Sequence, residues 1–287
     1  MKKLTKIAAL LAACLMLFTA CSTEDSGSQS TGADTASSDA STQSTGADTA
    51  SSDTSAQSSE DSSSKTESSE AQESSAAETT AQPVGTEFYD DAVFIGDSVS
   101  LRLYYYCQGH SGVLGKAQFL TSGSLGSGNA LNEITDDSVH PVYQGEKMLI
   151  EDGVKANGAK KVFIMLGMND IGLYGIEDSV KNMQTLIDRI LEKSPDAEIY
   201  LQSMTPMLES TQLKNLNNEN IEKYNAELKK LAEEKGYHFA DVASVMKDEN
   251  GNLIPEYCSD PEDMGIHFTD AGAEAWIDYL LKNASSF

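Results

Sequence analysis

Five short apolar runs alternate with segments of helical periodicity from residue 87 onward. The runs have the length and the bounding residues of buried strands: AVFIG (92–96), AQFLTS (117–122), KVFIMLG (161–167), EIYLQSM (198–204) and YHFADVA (237–243). Apolar residues spaced by three and four predict helices over 146–157, 177–193, 218–235 and 270–284. This alternation predicts a three-layer, doubly wound α/β domain, in which helices cover both faces of a parallel sheet of about five strands.

The first 21 residues follow a different pattern. Three lysines precede a run of apolar residues from Ile7 to Phe18, and two small residues separate that run from Cys21. This is the layout of a secretory signal, and the run is shorter than the about 20 residues that span a bilayer. The ending LFTAC resembles a bacterial lipobox, which implies that Cys21 is lipidated and anchors the protein on the extracellular, cell-wall side of the cell membrane. An ordinary cleaved signal peptide is the alternative.

Residues 22–86 are predicted to be a disordered linker between the signal and a domain at 87–287. Ser, Thr, Ala and acidic residues dominate this stretch, and STGADTASSD occurs at both 30–39 and 44–53. Such a composition buries too little apolar surface to offset the entropy of folding. As a flexible coil it would hold the domain roughly 40–50 Å from the membrane.

Charge and cysteine usage exclude several classes of partner. Residues 84–287 contain 33 acidic and 16 basic residues with no basic stripe, which argues against binding to nucleic acid. Cys107 and Cys258 lie in a domain where export would permit a disulfide, and their spacing leaves open whether they pair. The sequence has no CxxC motif and no His/Cys cluster, so neither a metal site nor a cofactor is predicted.

Polar residues follow three of the predicted strands at the carboxyl ends, where parallel sheets bind ligands. Ser98 comes directly after the first strand, at the start of a helix whose unpaired N–H groups carry partial positive charge. TSGSLGSG follows the second strand, and its glycines let backbone N–H groups approach a ligand. Asn169 follows the third strand, in LGMND, and can donate to a developing oxyanion. Taken singly, each feature also has an ordinary structural explanation: Ser98 as a helix cap, the glycine segment as a flexible loop, and Asn169 as part of a turn.

His267 precedes the last predicted helix and is a candidate general base for Ser98. GDSVS, a glycine loop, GMND and MGIHF, in this order within residues 90–284, resemble the motifs of the SGNH (GDSL-type) hydrolases. The resemblance implies their flavodoxin-like fold, with Ser98 as nucleophile and His267 as base. It further implies an oxyanion hole made by the Ser98 N–H, the N–H of Gly126 (or, second, Gly123) and the Asn169 side chain.

The orienting acid departs from the pattern of that family. The family has Asp three residues before the histidine, where this chain has Met264. Asp263 is therefore expected to hold the imidazole. Asp260, Glu262 and a Ser–His dyad steadied by a backbone carbonyl are alternatives.

These features predict a lipid-anchored serine esterase that hydrolyses acyl esters, expected to be acetyl esters, on a carbohydrate, a cell-wall polymer or a small molecule. An O-acetyltransferase with the same Ser–His site stays open. A non-catalytic cell-wall binding module also stays open, because of the missing acid at Met264. The hydrolase hypothesis predicts that the His267 imidazole lies about 2.6–3.5 Å from the Ser98 hydroxyl.

Overall fold

The computed structural model describes residues 82–287. The predicted signal (1–21) and most of the predicted linker lie outside the described residues. The last part of that linker, residues 82–86, packs instead on the C-terminal helix, since the Val84 N–H donates to the carbonyl of Leu281 at 2.8 Å. The folded domain therefore includes Gln82 and does not begin at residue 87.

The strands are β1 (Ala92–Gly96), β2 (Gln118–Thr121), β3 (Val142–Tyr143), β4 (Glu146–Lys147), β5 (Lys161–Met165), β6 (Glu198–Gln202) and β7 (His238–Ala240). Five of them, the five predicted runs, form one parallel sheet in the order β2-β1-β5-β6-β7. The short β3 and β4 pair separately as an antiparallel hairpin.

The helices are α1 (Ser98–Gly109), α2 (Ile150–Asn157), α3 (Ile171–Lys193), α4 (Asn218–Lys235) and α5 (Asp270–Asn283). Helices α2, α3 and α4 pack on one another in turn, while α1 packs on α5. The predicted three-layer, doubly wound α/β fold is confirmed. Among the helices described here, none is long and apolar enough to cross a membrane.

One ring from each strand of the sheet stacks on its neighbour. Phe119, Phe94, Phe163, Tyr200 and His238 follow one another with centroid separations of 5.4, 4.7, 4.4 and 4.2 Å. Each stacked pair occupies directly opposed positions in the strand register. Aromatic pairs contribute about 0.5–1.5 kcal/mol beyond their buried area. The ladder therefore helps to fix the register that brings the carboxyl ends of the strands to a common edge.

Two predicted helix boundaries are wrong, for local reasons. The helix expected over 146–157 begins only at Ile150, because Gln144 and Gly145 have positive φ values (52° and 89°) and turn the preceding chain into the β3–β4 hairpin. Helix α3 begins at Ile171 instead of residue 177, and the non-helical backbone of Gly175 (φ 75°, ψ 172°) interrupts it.

Candidate active site

Ser98 is the first residue of α1 and comes two residues after the last residue of β1. Asp97 caps the helix by accepting the Val99 N–H at 2.9 Å, which fixes the turn that presents Ser98 at the edge of the sheet. Burial and the nearby charge of Asp170 raise the pKa of Asp97 to about 7. Within residues 82–287 the Ser98 N–H has no hydrogen-bond acceptor, as expected for the first turn of a helix.

The His267 imidazole lies against the Ser98 hydroxyl, with 2.9 Å between Nε2 and Oγ. The predicted contact is therefore present between residues 169 positions apart. The loop that precedes α5 brings the imidazole to the start of α1, and the His267 side chain keeps 23% of its surface exposed.

Asp260, not Asp263, lies behind the imidazole, with 2.7 Å between its Oδ2 and His267 Nδ1. The other oxygen, Oδ1, accepts the backbone N–H groups of Ile266 and His267, both at 3.0 Å. Burial favours the neutral acid, but the hydrogen bonds from His267 and from the Cys258 thiol outweigh it and hold the pKa of Asp260 below its ordinary value. The ionised carboxylate orients Nδ1–H toward itself and leaves the Nε2 lone pair facing Ser98.

The expectation of Asp263 is wrong because of the turn between Asp260 and His267. The N–H groups of Asp263 and Gly265 both donate to the Asp260 carbonyl, at 3.0 and 3.1 Å, and Gly265 has a φ of 65°. This turn places Asp263 in solvent and leaves Met264 exposed. The chain thus wraps around Asp260, and the distance along the sequence to His267 is longer than the family pattern suggested.

The expected oxyanion donors differ in availability. The Asn169 Nδ2 donates one hydrogen to the Leu125 carbonyl at 3.1 Å, and a side-chain amide carries a second hydrogen. The N–H of Gly126 donates to Asn129 Oδ1 at 2.8 Å, so it is not a free donor in this structure. Within residues 82–287, the expected donors that remain available are therefore the Ser98 N–H, the second Asn169 hydrogen and the N–H of Gly123, the second glycine candidate.

A buried carboxylate next to Asn169 holds the glycine loop. Asp170 is fully buried and accepts the N–H groups of Ser127 and Gly128, at 2.8 and 2.9 Å. Burial raises its pKa above the ordinary value. A Cβ on Gly126 would lie 2.8 Å from Asp170 Oδ1, which explains glycine at that position. The sequence feature that could have indicated this role is the position of Asp170, an acid directly after Asn169 at the end of a strand.

Of the remaining reactive groups, the Cys258 thiol contacts the site, since its Sγ donates to Asp260 Oδ1 at 3.4 Å, whereas Cys107 makes no hydrogen bond to Ser98, His267 or Asp260 within residues 82–287. Cys107 and Cys258 are both free thiols, and burial raises the pKa of Cys107 to about 11. No group of three or more His, Cys, Asp or Glu side chains in residues 82–287 is arranged to hold a metal ion.

Comparison with known proteins gives one family match. Residues 148–275 match the model of the GDSL-like lipase/acylhydrolase family, a stretch that includes Asn169, Asp260 and His267 and begins after Ser98. No curated protein sequence matches the chain.

Several solved structures are similar to the chain. A Streptococcus pneumoniae protein described as a candidate platelet activating factor has the same fold; it is 22% identical, with a TM-score of 0.50, over 71% of this chain and 85% of that one. An acetylxylan esterase from Geobacillus stearothermophilus is 16% identical, with a TM-score of 0.45, over 66% of this chain and 91% of its own. The C-terminal catalytic domain of the S. pneumoniae peptidoglycan O-acetyltransferase A is 20% identical, with a TM-score of 0.43, over 69% and 91%.

Proposed function

We propose that the folded domain of this chain, in which residues 148–275 match the GDSL-like lipase/acylhydrolase family, belongs to that family as an ester-bond hydrolase, and that Ser98, His267 and Asp260 carry out the hydrolysis. The observation that carries this assignment is the pair of hydrogen bonds that runs from Asp260 through His267 to the Ser98 hydroxyl, at 2.7 and 2.9 Å. Ser98 is the nucleophile, His267 the general base, and Asp260 the acid that orients the imidazole.

In the first half of the reaction, His267 Nε2 takes the Ser98 proton while Oγ attacks the ester carbonyl. The Ser98 N–H and Asn169 Nδ2 donate to the oxyanion, and each such donor contributes about 2.7–4 kcal/mol in comparable sites. The C–O bond to the alcohol then breaks, and the alcohol leaves with the proton held by His267. In the second half, His267 takes a proton from water as the water oxygen attacks the acyl carbonyl. The bond to Ser98 Oγ then breaks, His267 returns the proton to Oγ, and the acid leaves.

Asp260 also bears on the non-catalytic alternative. That alternative depended on Met264, which stands where the family has its acid. Since Asp260 makes the contact that such an acid makes, the departure at Met264 no longer argues against turnover.

We further propose that the substrate is an acetyl ester on a neutral carbohydrate or cell-wall polymer outside the cell. His267 is partly exposed, as is Asn169, so the edge of the sheet is open to a bulky ester. The excess of acidic over basic residues disfavours polyanionic substrates. The export signal and the anchor at Cys21, both inferred from the sequence, support the location.

Two assays on the chain from residue 22 onward test the reaction. The protein should hydrolyse an aryl acetate, lose that turnover in Ser98→Ala, and be labelled covalently by a serine-reactive phosphonate only when Ser98 is present. Turnover that survives Ser98→Ala would overturn the assignment. Release of acetate from an acetylated polysaccharide supports a hydrolase, whereas transfer of the acetyl group to an oligosaccharide hydroxyl identifies an acyltransferase.

The anchor is tested separately in cells. The full chain should incorporate a palmitate analogue and sediment with membranes, and Cys21→Ser should abolish both. Secretion of unlabelled wild-type protein would contradict the lipid anchor and leave the hydrolase assignment intact.

A further inference from the structure

Arg102 joins the helix that carries the nucleophile to the loop that carries the base. It lies on α1 four residues after Ser98, hence on the same helix face. Its Nε donates to the carbonyl oxygen of Phe268 at 3.1 Å, and Phe268 directly follows His267. The bond connects residues 166 positions apart and crosses the same gap as the Ser98–His267 contact.

Most other polar contacts around the base act within its own loop, and one ties the loop to the chain after β6, where the Leu208 N–H donates to the Gly265 carbonyl at 2.9 Å. Asp260 holds the N–H groups of Ile266 and His267, and the His267 carbonyl accepts the Ser259 N–H at 2.8 Å. These bonds fix the imidazole relative to residues 258–269. The Tyr106 hydroxyl on α1 donates to Glu274 on α5 at 2.9 Å, beyond the loop. Between α1 and the loop itself, the hydrogen bonds in the described residues are the Ser98–His267 contact and the bond from Arg102.

Arg102 is suited to a contact between α1 and the loop. The Phe268 carbonyl accepts no other hydrogen bond within the described part of the chain, residues 82–287. No carboxylate in the same range lies within ion-pair distance of Arg102, although acids outnumber bases in the domain two to one. The guanidinium is planar and its N–H groups are directional, so it fixes the position of its acceptor.

We propose that Arg102 is a positioning residue that sets the distance between the His267 imidazole and the Ser98 hydroxyl. The inference rests on the proposed function, because it takes these two groups as the catalytic pair. Misplacement of reacting groups by about 1 Å costs on the order of 10²-fold in rate. Removing the bond from Arg102 should therefore lower kcat by roughly 10- to 100-fold and change KM by no more than about twofold.

The test compares Arg102→Met, which keeps much of the apolar stem, with Arg102→Lys, which keeps the charge and one donor. Arg102→Lys should recover part of the lost kcat on an aryl acetate, and phosphonate labelling of Ser98 should slow in parallel with kcat. Lys161→Met is the matched control. It removes a charge and a 2.6 Å bond to Asp91 at the opposite edge of the sheet, and kcat should stay unchanged.

Structural and thermal measurements distinguish a loss of activity caused by a displaced His267 from one caused by a less stable fold. The melting temperature of each variant is measured beside kcat, and Arg102→Lys is used if Arg102→Met does not fold. Crystal structures should show a longer separation between Ser98 Oγ and His267 Nε2, or a second imidazole conformer, in the variants. An unchanged separation with unchanged kcat, or a rise in KM alone, would overturn the proposal. If the wild type hydrolyses no ester, the proposed function fails, and the measured separation still decides the role of Arg102.

Discussion

Replacing Asp260 by Asn is the sharpest perturbation of this site, because the change keeps the size of the side chain. The amide oxygen can still accept the N–H groups of Ile266 and His267, but the NH₂ group then faces His267 Nδ1, where a carboxylate oxygen stood. Two donors cannot face each other, so the imidazole takes the other tautomer and presents Nε2–H to Ser98. In that state His267 cannot accept the Ser98 proton.

The size of the effect follows from the bonds that change. An orienting acid whose loss imposes the wrong tautomer costs about 10⁴-fold in kcat in a well-studied triad enzyme, which corresponds to about 5 kcal/mol. The fold loses one hydrogen bond to a charged group, which corresponds to about 1.5–3 kcal/mol of stability. Activity should therefore nearly vanish while the domain stays folded at room temperature.

The assay measures kcat and KM on an aryl acetate, together with urea unfolding of the same preparations. Asp263→Asn is the matched control, three residues further along the same loop. Asp263 is exposed and makes no hydrogen bond to His267, so kcat should change by less than about twofold. A large loss in Asp263→Asn with near-normal turnover in Asp260→Asn would refute the assignment of the acid and restore the expectation from the sequence.

Three further predictions concern residues near Ser98 at the carboxyl ends of the strands. Asn169→Ala should lower kcat by about 10²–10³-fold with little change in KM, because it removes one oxyanion donor; steady-state kinetics checks this, and unchanged kcat would exclude that role. Gly126→Ala should cost about 1–3 kcal/mol and lower activity, since its Cβ would press on Asp170, whereas Gly123→Ala points into open space and should be neutral in thermal unfolding. The pKa of Asp97 is raised to about 7, so between about pH 4 and 7 the folded protein holds a proton that the unfolded chain has released. The contribution of this proton to the free energy of unfolding is complete below about pH 4 and is lost as pH rises through 7. Urea unfolding of wild type against Asp97→Asn should therefore give a stability difference that falls by up to about 4 kcal/mol over that window, and a difference independent of pH would contradict the pKa.

Sequence patterns were enough to predict the sheet and the contact between Ser98 and His267. The residues of β1 were matched in full, because a central strand buried on both faces reads as an unbroken apolar run. Ser98 and His267 followed from their places at strand and helix ends. The order of strands was not predicted, since it depends on which runs pair across the sheet.

The acid that orients His267 and the residues that hold the site in place could not be predicted from local patterns in the sequence. Three carboxylates precede His267 within a short loop, and only the path of the turn at Gly265 decides that Asp260 faces the imidazole. The hydrogen bond from the Gly126 N–H to Asn129 Oδ1 depends on a loop closing on itself. Asp170 and Arg102 act through backbone groups of distant residues, and a single sequence carries no pattern for such contacts.

The chain places its one tryptophan on the helix that completes the site. Trp276 lies on α5, is fully buried, and donates from Nε1 to Gln202 at the end of β6. Its fluorescence should therefore report when α5 docks, the same event that brings the loop of His267 to Ser98. During refolding, the emission change and the return of ester hydrolysis should share one time course, so the protein carries an intrinsic optical probe for the assembly of its own catalytic centre.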